Sequence, residues 1–146
     1  MIIREIDLFD GASEELENEL VKIMESESYN PGDAIIKEGD LADNFYVLQT
    51  GALNVKVAGA RQKTQVAVRP GEAVGWSSLA GRETYTASVE CAEPSRVMKI
   101  NKDKLYQILR LHSAFGLLFY KRLAGLVGER LIRCHQELIK LEEELD

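Results

Sequence analysis

Apolar positions change their spacing twice along this chain, and each change marks a change of structure. Over residues 11 to 24, Leu16, Leu20, Ile23 and Met24 recur every three or four positions, which predicts a helix with one buried face. Ser13 stands where an N-cap belongs, and the acids that follow it suit the positive end of a helix. From Glu25 to about Ile100 the spacing falls to two, in short runs broken by turn residues roughly every eight to twelve positions. That rhythm predicts an antiparallel sandwich or barrel.

The runs can be placed one by one. Asn30-Pro31-Gly32-Asp33 turns into a strand at 34 to 37, and Glu38-Gly39-Asp40 turns out of it. Residues 44 to 50 form a strand built on Phe45, Tyr46, Val47 and Leu48 and broken by Gly51. Leu53, Val55 and Val57 alternate with Asn54 and Lys56, as in a half-buried strand. A turn at 58 to 61 leads to a strand at 64 to 68, and two more are expected at 85 to 91 and 96 to 100.

The helical period returns at 101 to 109, with Asn101 as N-cap and Leu105, Ile108 and Leu109 as the apolar side. His112-Ser113 breaks it, and a long helix follows from about Ala114 to the end. Along that helix Leu117, Ala124, Leu131, Leu138 and Leu145 lie seven apart, with Tyr120, Val127, Cys134 and Leu141 three residues after the first four. This is a heptad seam, as a two-stranded coiled coil requires. A helix of ~28 residues reaches ~42 Å, more than one small domain can cover, so a homodimer through this helix is expected. The alternative is an amphipathic helix folded back on its own core.

Composition narrows the function. The 146 residues, 45% hydrophobic, suit one domain made of an N-terminal helical segment (1–24), a β-roll (25–100) and C-terminal helices (101–146). No run approaches a membrane span or a signal peptide, so a cytoplasmic location is the default. The net charge of −6 argues against nucleic acid. It is unevenly spread: 8 Lys/Arg against 17 Asp/Glu up to residue 94, and 10 against 7 beyond it. Cys91 and Cys134 make neither a disulfide framework nor a zinc site. His112 and His135 lack acidic or cysteine partners at catalytic spacing, and Cys134 of the Cys134-His135 pair falls on the seam, where a small apolar role suits it. Neither a catalytic group nor a metal site is expected.

The chemistry of interest lies in residues 71 to 91. Gly71, Gly75 and Gly81 punctuate this stretch, and Ser77 and Ser78 open a short apolar turn. Such a loop exposes backbone N–H groups at a helix start, a cradle for a small anion. Trp76, Arg82 and Tyr85 stand where a binding loop carries its side chains.

Together, the run Pro31-Gly32-Asp33-Ala34-Ile35-Ile36-Lys37-Glu38-Gly39-Asp40-Leu41-Ala42-Asp43, the strand Phe45-Tyr46-Val47-Leu48 with Gly51, and Pro70-Gly71-Glu72-Ala73-Val74-Gly75 resemble the cyclic nucleotide-binding domain. This is the effector domain of catabolite-activator-like regulators and of cyclic-nucleotide-gated kinases and channels. The resemblance covers roughly residues 15 to 145. It implies a jelly-roll-like β-roll flanked by helices, a long C-terminal helix that pairs two subunits, and a phosphate-binding cassette at 74 to 89. In the family a glutamate after the second glycine holds the ribose hydroxyl; here Trp76 follows Gly75. About nine residues later the family places an arginine on the cyclic phosphate; here Tyr85 takes its place, followed by Thr86. Losing a charge-assisted bond to a buried anion weakens binding by ~10- to 1000-fold.

The expected function is therefore that of a non-catalytic regulatory domain that does not bind cyclic AMP in the usual way. A ligand of another kind, nucleotide-like or otherwise anionic, would be sensed through Gly75, Trp76, Ser77, Ser78, Arg82, Tyr85 and Thr86. The alternative is a dimeric protein-interaction module whose pocket is filled by its own side chains, with Trp76 favoured as the filler over a role stacking on a flat ligand. Arg82 either replaces the missing arginine or faces solvent. If the sequence is the whole protein, no helix-turn-helix follows and direct DNA binding is not expected.

Overall fold

Two long strands carry the fold, each running further than the turn signals suggest. In the computed structural model, which describes residues 6–56 and 66–145, strand β3 spans Asn44–Lys56 and strand β6 spans Ser88–Asn101. They pair antiparallel over most of their length, from Asn44 opposite Asn101 to Lys56 opposite Ser88. Around them stand β1 (Met24–Tyr29) and β2 (Ala34–Ile36) on β6, and β4 (Val66–Val68) and β5 (Ala73–Val74) on β3. Every pairing is antiparallel, and the result is an open, jelly-roll-like sheet.

Gly51 was expected to end a strand, and 85 to 91 and 96 to 100 to be separate. Instead, the ladder absorbs both irregularities as register shifts between Leu48 and Leu53. Gly51 has φ 98°. A Cβ there would lie 2.1 Å from Ser95 Oγ and 2.6 Å from the Pro94 carbonyl, so only glycine lets the strands approach. Ser95 Oγ fills the gap by accepting from Ala52 N (3.1 Å) and donating to the Glu93 carbonyl (2.7 Å). The turn expected at 58 to 61, Val57 and the strand start at Thr64 lie outside the described residues.

The helices follow their local signals. Helix α1 (Glu14–Ile23) starts at Ser13, whose Oγ accepts from Leu16 N (3.2 Å). Helix α2 (Lys102–Leu111) starts at Asn101, whose Oδ1 accepts from the N–H groups of Asp103 and Lys104. After His112, helix α3 runs over Ser113–Leu145. His112 Nε2 lies 2.6 Å from Glu19 Oε2 and ties this junction to α1.

Alternation along β3 divides the core in two. Phe45 and Val47 face the helices, with Leu16, Leu20, Leu105, Leu109 and Phe119. Tyr46 and Leu48 face the interior of the roll, with Ile36, Ala42, Leu53, Tyr85 and Cys91. Phe119 of α3 anchors the helical side: it stacks on Phe9 at 5.6 Å and meets Phe45 edge-on at 6.4 Å. Replacing Phe119 by alanine should cost about 3–5 kcal/mol in urea denaturation. A loss under about 1 kcal/mol would show that α3 is not anchored there.

Candidate functional site

The cassette begins where β5 delivers the chain to Gly75. Val74 pairs with Tyr46 and Ala73 with Val47, so the approach is fixed to β3. Gly75 then takes a left-handed conformation (φ 82°, ψ 21°), and a Cβ on it would lie 2.9 Å from the Asn44 carbonyl. A side chain is excluded twice, by conformation and by space.

The helix start expected after Gly75 is a single 3₁₀ turn, Trp76–Ser78. It folds back on itself. Ser78 places both its N–H and its Oγ on the Gly75 carbonyl (3.0 and 2.7 Å), and Leu79 N donates to the Trp76 carbonyl. The turn closes when Arg82 N reaches the Ser77 carbonyl at 3.3 Å. Residues 74 to 81 carry no charged side chain.

From Glu83 the chain runs beside the 39–43 loop rather than as a strand from Tyr85. Ala42 N donates to the Glu83 carbonyl, Tyr85 N to that of Asp40, and Gly39 N to that of Tyr85. This clamp turns the Tyr85 side chain into the roll, where only 7% of the residue remains exposed. Its hydroxyl donates to the Asn44 carbonyl (2.6 Å) and accepts from the Asn44 N–H (3.1 Å). Burial pushes the phenol above its ordinary pKa; the Asn44 bond opposes that shift, while the carboxylates of Asp43 and Asp40 add to it. Position 85 therefore holds a neutral phenol beside two carboxylates.

The remaining expected residues separate. Ser77 is buried and its Oγ lies 3.3 Å from Thr86 Oγ1, while Thr86 itself is exposed. Arg82 is exposed, and among the described residues no carboxylate lies within 4.0 Å of it. Trp76 was favoured as the filler of the vacated pocket, but it points the other way. It packs half-buried against the helical core, on the opposite side of the sheet from Tyr85. There it lines a groove of about 210 Å³ with Leu123, Leu126 and Arg130 of α3. Its direction follows from the 3₁₀ turn, which buries Ser77 and Ser78 and leaves the tryptophan on the α3 side.

Two participants have no signal in a one-dimensional pattern. Asn44 takes part through its backbone, which any residue type supplies. Arg130 reads as a charged position beside the seam, yet its Nη2 donates to the Ala73 carbonyl at 2.7 Å. Of the seam residues, Leu117, Ala124, Leu131, Cys134, Leu138, Leu141 and Leu145 are exposed, whereas Tyr120 and Val127 are half-buried. Tyr120 packs on the helical core of its own chain. Among the described residues no three His, Cys, Asp or Glu side chains are grouped to hold a metal ion, and no helix is long and apolar enough to cross a membrane.

Comparison with known proteins agrees with this geometry. The family model described as cyclic nucleotide-binding domain matches residues 26–112. A cGMP-dependent protein kinase of Eimeria tenella is 28% identical over 104 residues, 71% of this chain and 10% of the kinase. The human cyclic nucleotide-gated channel beta-3 is 27% identical over 111 residues, 74% of this chain and 14% of the channel. The chain thus spans only a small part of these relatives. Among solved structures, a protein of Geobacter metallireducens described as cyclic nucleotide-binding superimposes with a TM-score of 0.76 at 29% identity, covering 88% of this chain and 95% of that one. The Thermus thermophilus catabolite activator protein shares the fold, with a TM-score of 0.72 at 24% identity over 92% of this chain and 62% of that one. With its antiparallel roll, its Gly75 cassette and a family match over more than half its length, this chain belongs to the cyclic nucleotide-binding domain family.

Proposed function

We propose that this chain is a non-catalytic regulatory domain whose cassette is closed by its own Tyr85, and which works as a dimer joined through α3. The observation that carries the first half is the Tyr85 hydroxyl, bonded to both backbone polar groups of Asn44 inside the roll. A cyclic phosphate would have to displace that phenol, leave the Asn44 groups unpaired, and settle beside Asp40 and Asp43 while the cassette's Arg82 stands exposed outside the roll. Each of those steps opposes binding. The hydroxyl pair of Ser77 and Thr86 favours a second reading, a small uncharged or weakly acidic ligand held at the cassette rim.

Support for the dimer comes from the second half of α3. Every residue from 131 to 145 is exposed. A free helix of that length is marginal in water. Yet it carries Leu131, Ile132, Leu138, Ile139, Leu141 and Leu145 uncovered, an arrangement that a second copy would bury. Gly128 lies on the face of Ala124, four residues on, and a Cβ there meets nothing within 4 Å in its own chain. Glycine inside a helix costs about 1 kcal/mol, and a close partner helix gives it a use. With the roll closed, the exposed surfaces of α3 become the part of the domain that can signal.

Two measurements check this. Tyr85→Phe should destabilise the protein by about 1–3 kcal/mol in urea denaturation, because it orphans the Asn44 N–H and carbonyl; a loss below about 0.5 kcal/mol contradicts the closure. In sedimentation equilibrium the unmodified chain should have twice its 16.4 kDa mass at micromolar concentration, and Leu138→Glu should return it to one chain. A single-chain mass for the unmodified protein at high micromolar concentration excludes the α3 pairing.

A further inference from the structure

The groove of about 210 Å³ beside Trp76 is a different space from the interior of the roll. The two residues of β5 show this, because they face opposite ways. Ala73 lines the groove and belongs to the helical core, whereas Val74 belongs to the roll interior with Tyr85. The groove therefore lies behind the roll, and its occupancy does not depend on whether Tyr85 closes that interior. Pockets for drug-sized ligands run to ~300–1,000 Å³, so this one suits a molecule of a single ring.

Its lining is of two kinds. One wall is apolar: Trp76, with Leu8, Leu123 and Leu126. Trp76 is half-buried and is the only tryptophan of the chain. A flat indole at the wall of a groove offers a face on which another aromatic ring stacks. The remaining lining carries both signs of charge. Arg130 and Arg133 stand one turn apart on α3, Glu129 lies one turn before Arg133, and Asp7 and Glu72 line the groove from other segments.

These opposite charges do not neutralise one another. Among the described residues, no ion pair within 4.0 Å joins either arginine to a carboxylate. Arg130 donates through Nη2 to the Ala73 carbonyl (2.7 Å), and Glu72 Oε1 accepts from Arg69 N (2.9 Å). Arg133 and Glu129 are exposed. Burial pushes the Arg130 guanidinium below its ordinary pKa; Glu72 opposes that shift, and the like charge of Arg133 adds to it. A carboxylate placed between the two guanidinium groups would relieve their repulsion. A simple anion would then meet the three acids of the groove, and a simple cation its two arginines. A ligand bearing both charges meets a complement for each.

We propose that this groove binds a small aromatic zwitterion, an aromatic α-amino acid. Its ring stacks on Trp76, its carboxylate meets Arg130 and Arg133, and its ammonium meets Glu129.

Titration of the full chain with L-phenylalanine, followed by two-dimensional NMR, tests this, and the single indole N–H signal reports Trp76 directly. Phenylalanine should shift that signal together with the amides of 70–76 and 123–133, and should saturate with a dissociation constant on the order of 1 mM. Phenylpropionate lacks the ammonium and phenethylamine lacks the carboxylate, so each should bind about tenfold more weakly. Arg133→Gln should weaken phenylalanine and phenylpropionate about tenfold and leave phenethylamine unchanged. Glu129→Gln should weaken phenylalanine and phenethylamine and leave phenylpropionate unchanged. Both positions are exposed, so the rest of the spectrum should stay in place in either variant. An indole signal that does not move at millimolar phenylalanine, equal affinity for the three compounds, unchanged phenylalanine affinity in either variant, or shifts centred on 77–86 instead of the groove would each overturn the proposal.

Discussion

A buried phenol hydroxyl has to find partners, and where Tyr85 finds them determines how the roll meets the helices. Both partners belong to Asn44, the first residue of β3. Asn44 stands opposite Asn101, the last residue of β6, and Asn101 caps α2 through the N–H groups of Asp103 and Lys104. Lys102 N in turn bonds the Asp43 carbonyl. One side chain from the cassette therefore reaches the point at which two strands and a helix converge. Tyr46, Leu48, Leu53 and Tyr85 pack together in the roll interior.

The consequences reach the other side of the sheet. With the cassette held by Tyr85, Ser78 and the Gly75 carbonyl, Trp76 is free to serve the helical core, where it packs beside Leu123 and Leu126. The cassette and the strand leading into it are thus bonded inward to β3 and outward to α3. Its two aromatics pack on different sides: Tyr85 inside the roll, and Trp76 against the helical core. Beyond Arg130 the described length of α3 is exposed.

Much of this was readable in one dimension, where the physics is local. Ser13 and Asn101 cap their helices because a short polar side chain reaches its own next turn whatever the rest of the chain does. The alternation of Phe45, Tyr46, Val47 and Leu48 sorts those residues to two cores for the same reason. What could not be read depends on distant neighbours. Gly51 looks like a strand end until Ser95 is placed against it, and then it is the bulge that keeps β3 continuous. Trp76 and Tyr85 stood out as the aromatics of this stretch, but which of them enters the roll did not. Their directions follow from the 3₁₀ turn and from the clamp between 39–43 and 83–85. Arg130 carried no mark at all, since a charged residue beside a seam looks the same whether it faces water or a carbonyl.

The most direct test of the closed cassette is calorimetric titration of the unmodified protein with cyclic AMP and cyclic GMP. A roll entered by Tyr85, with Asp40 and Asp43 beside it and the cassette's Arg82 exposed, should give no saturable heat even at millimolar ligand. Saturable micromolar binding of either nucleotide would contradict the closure and return Tyr85 to the role of a movable gate.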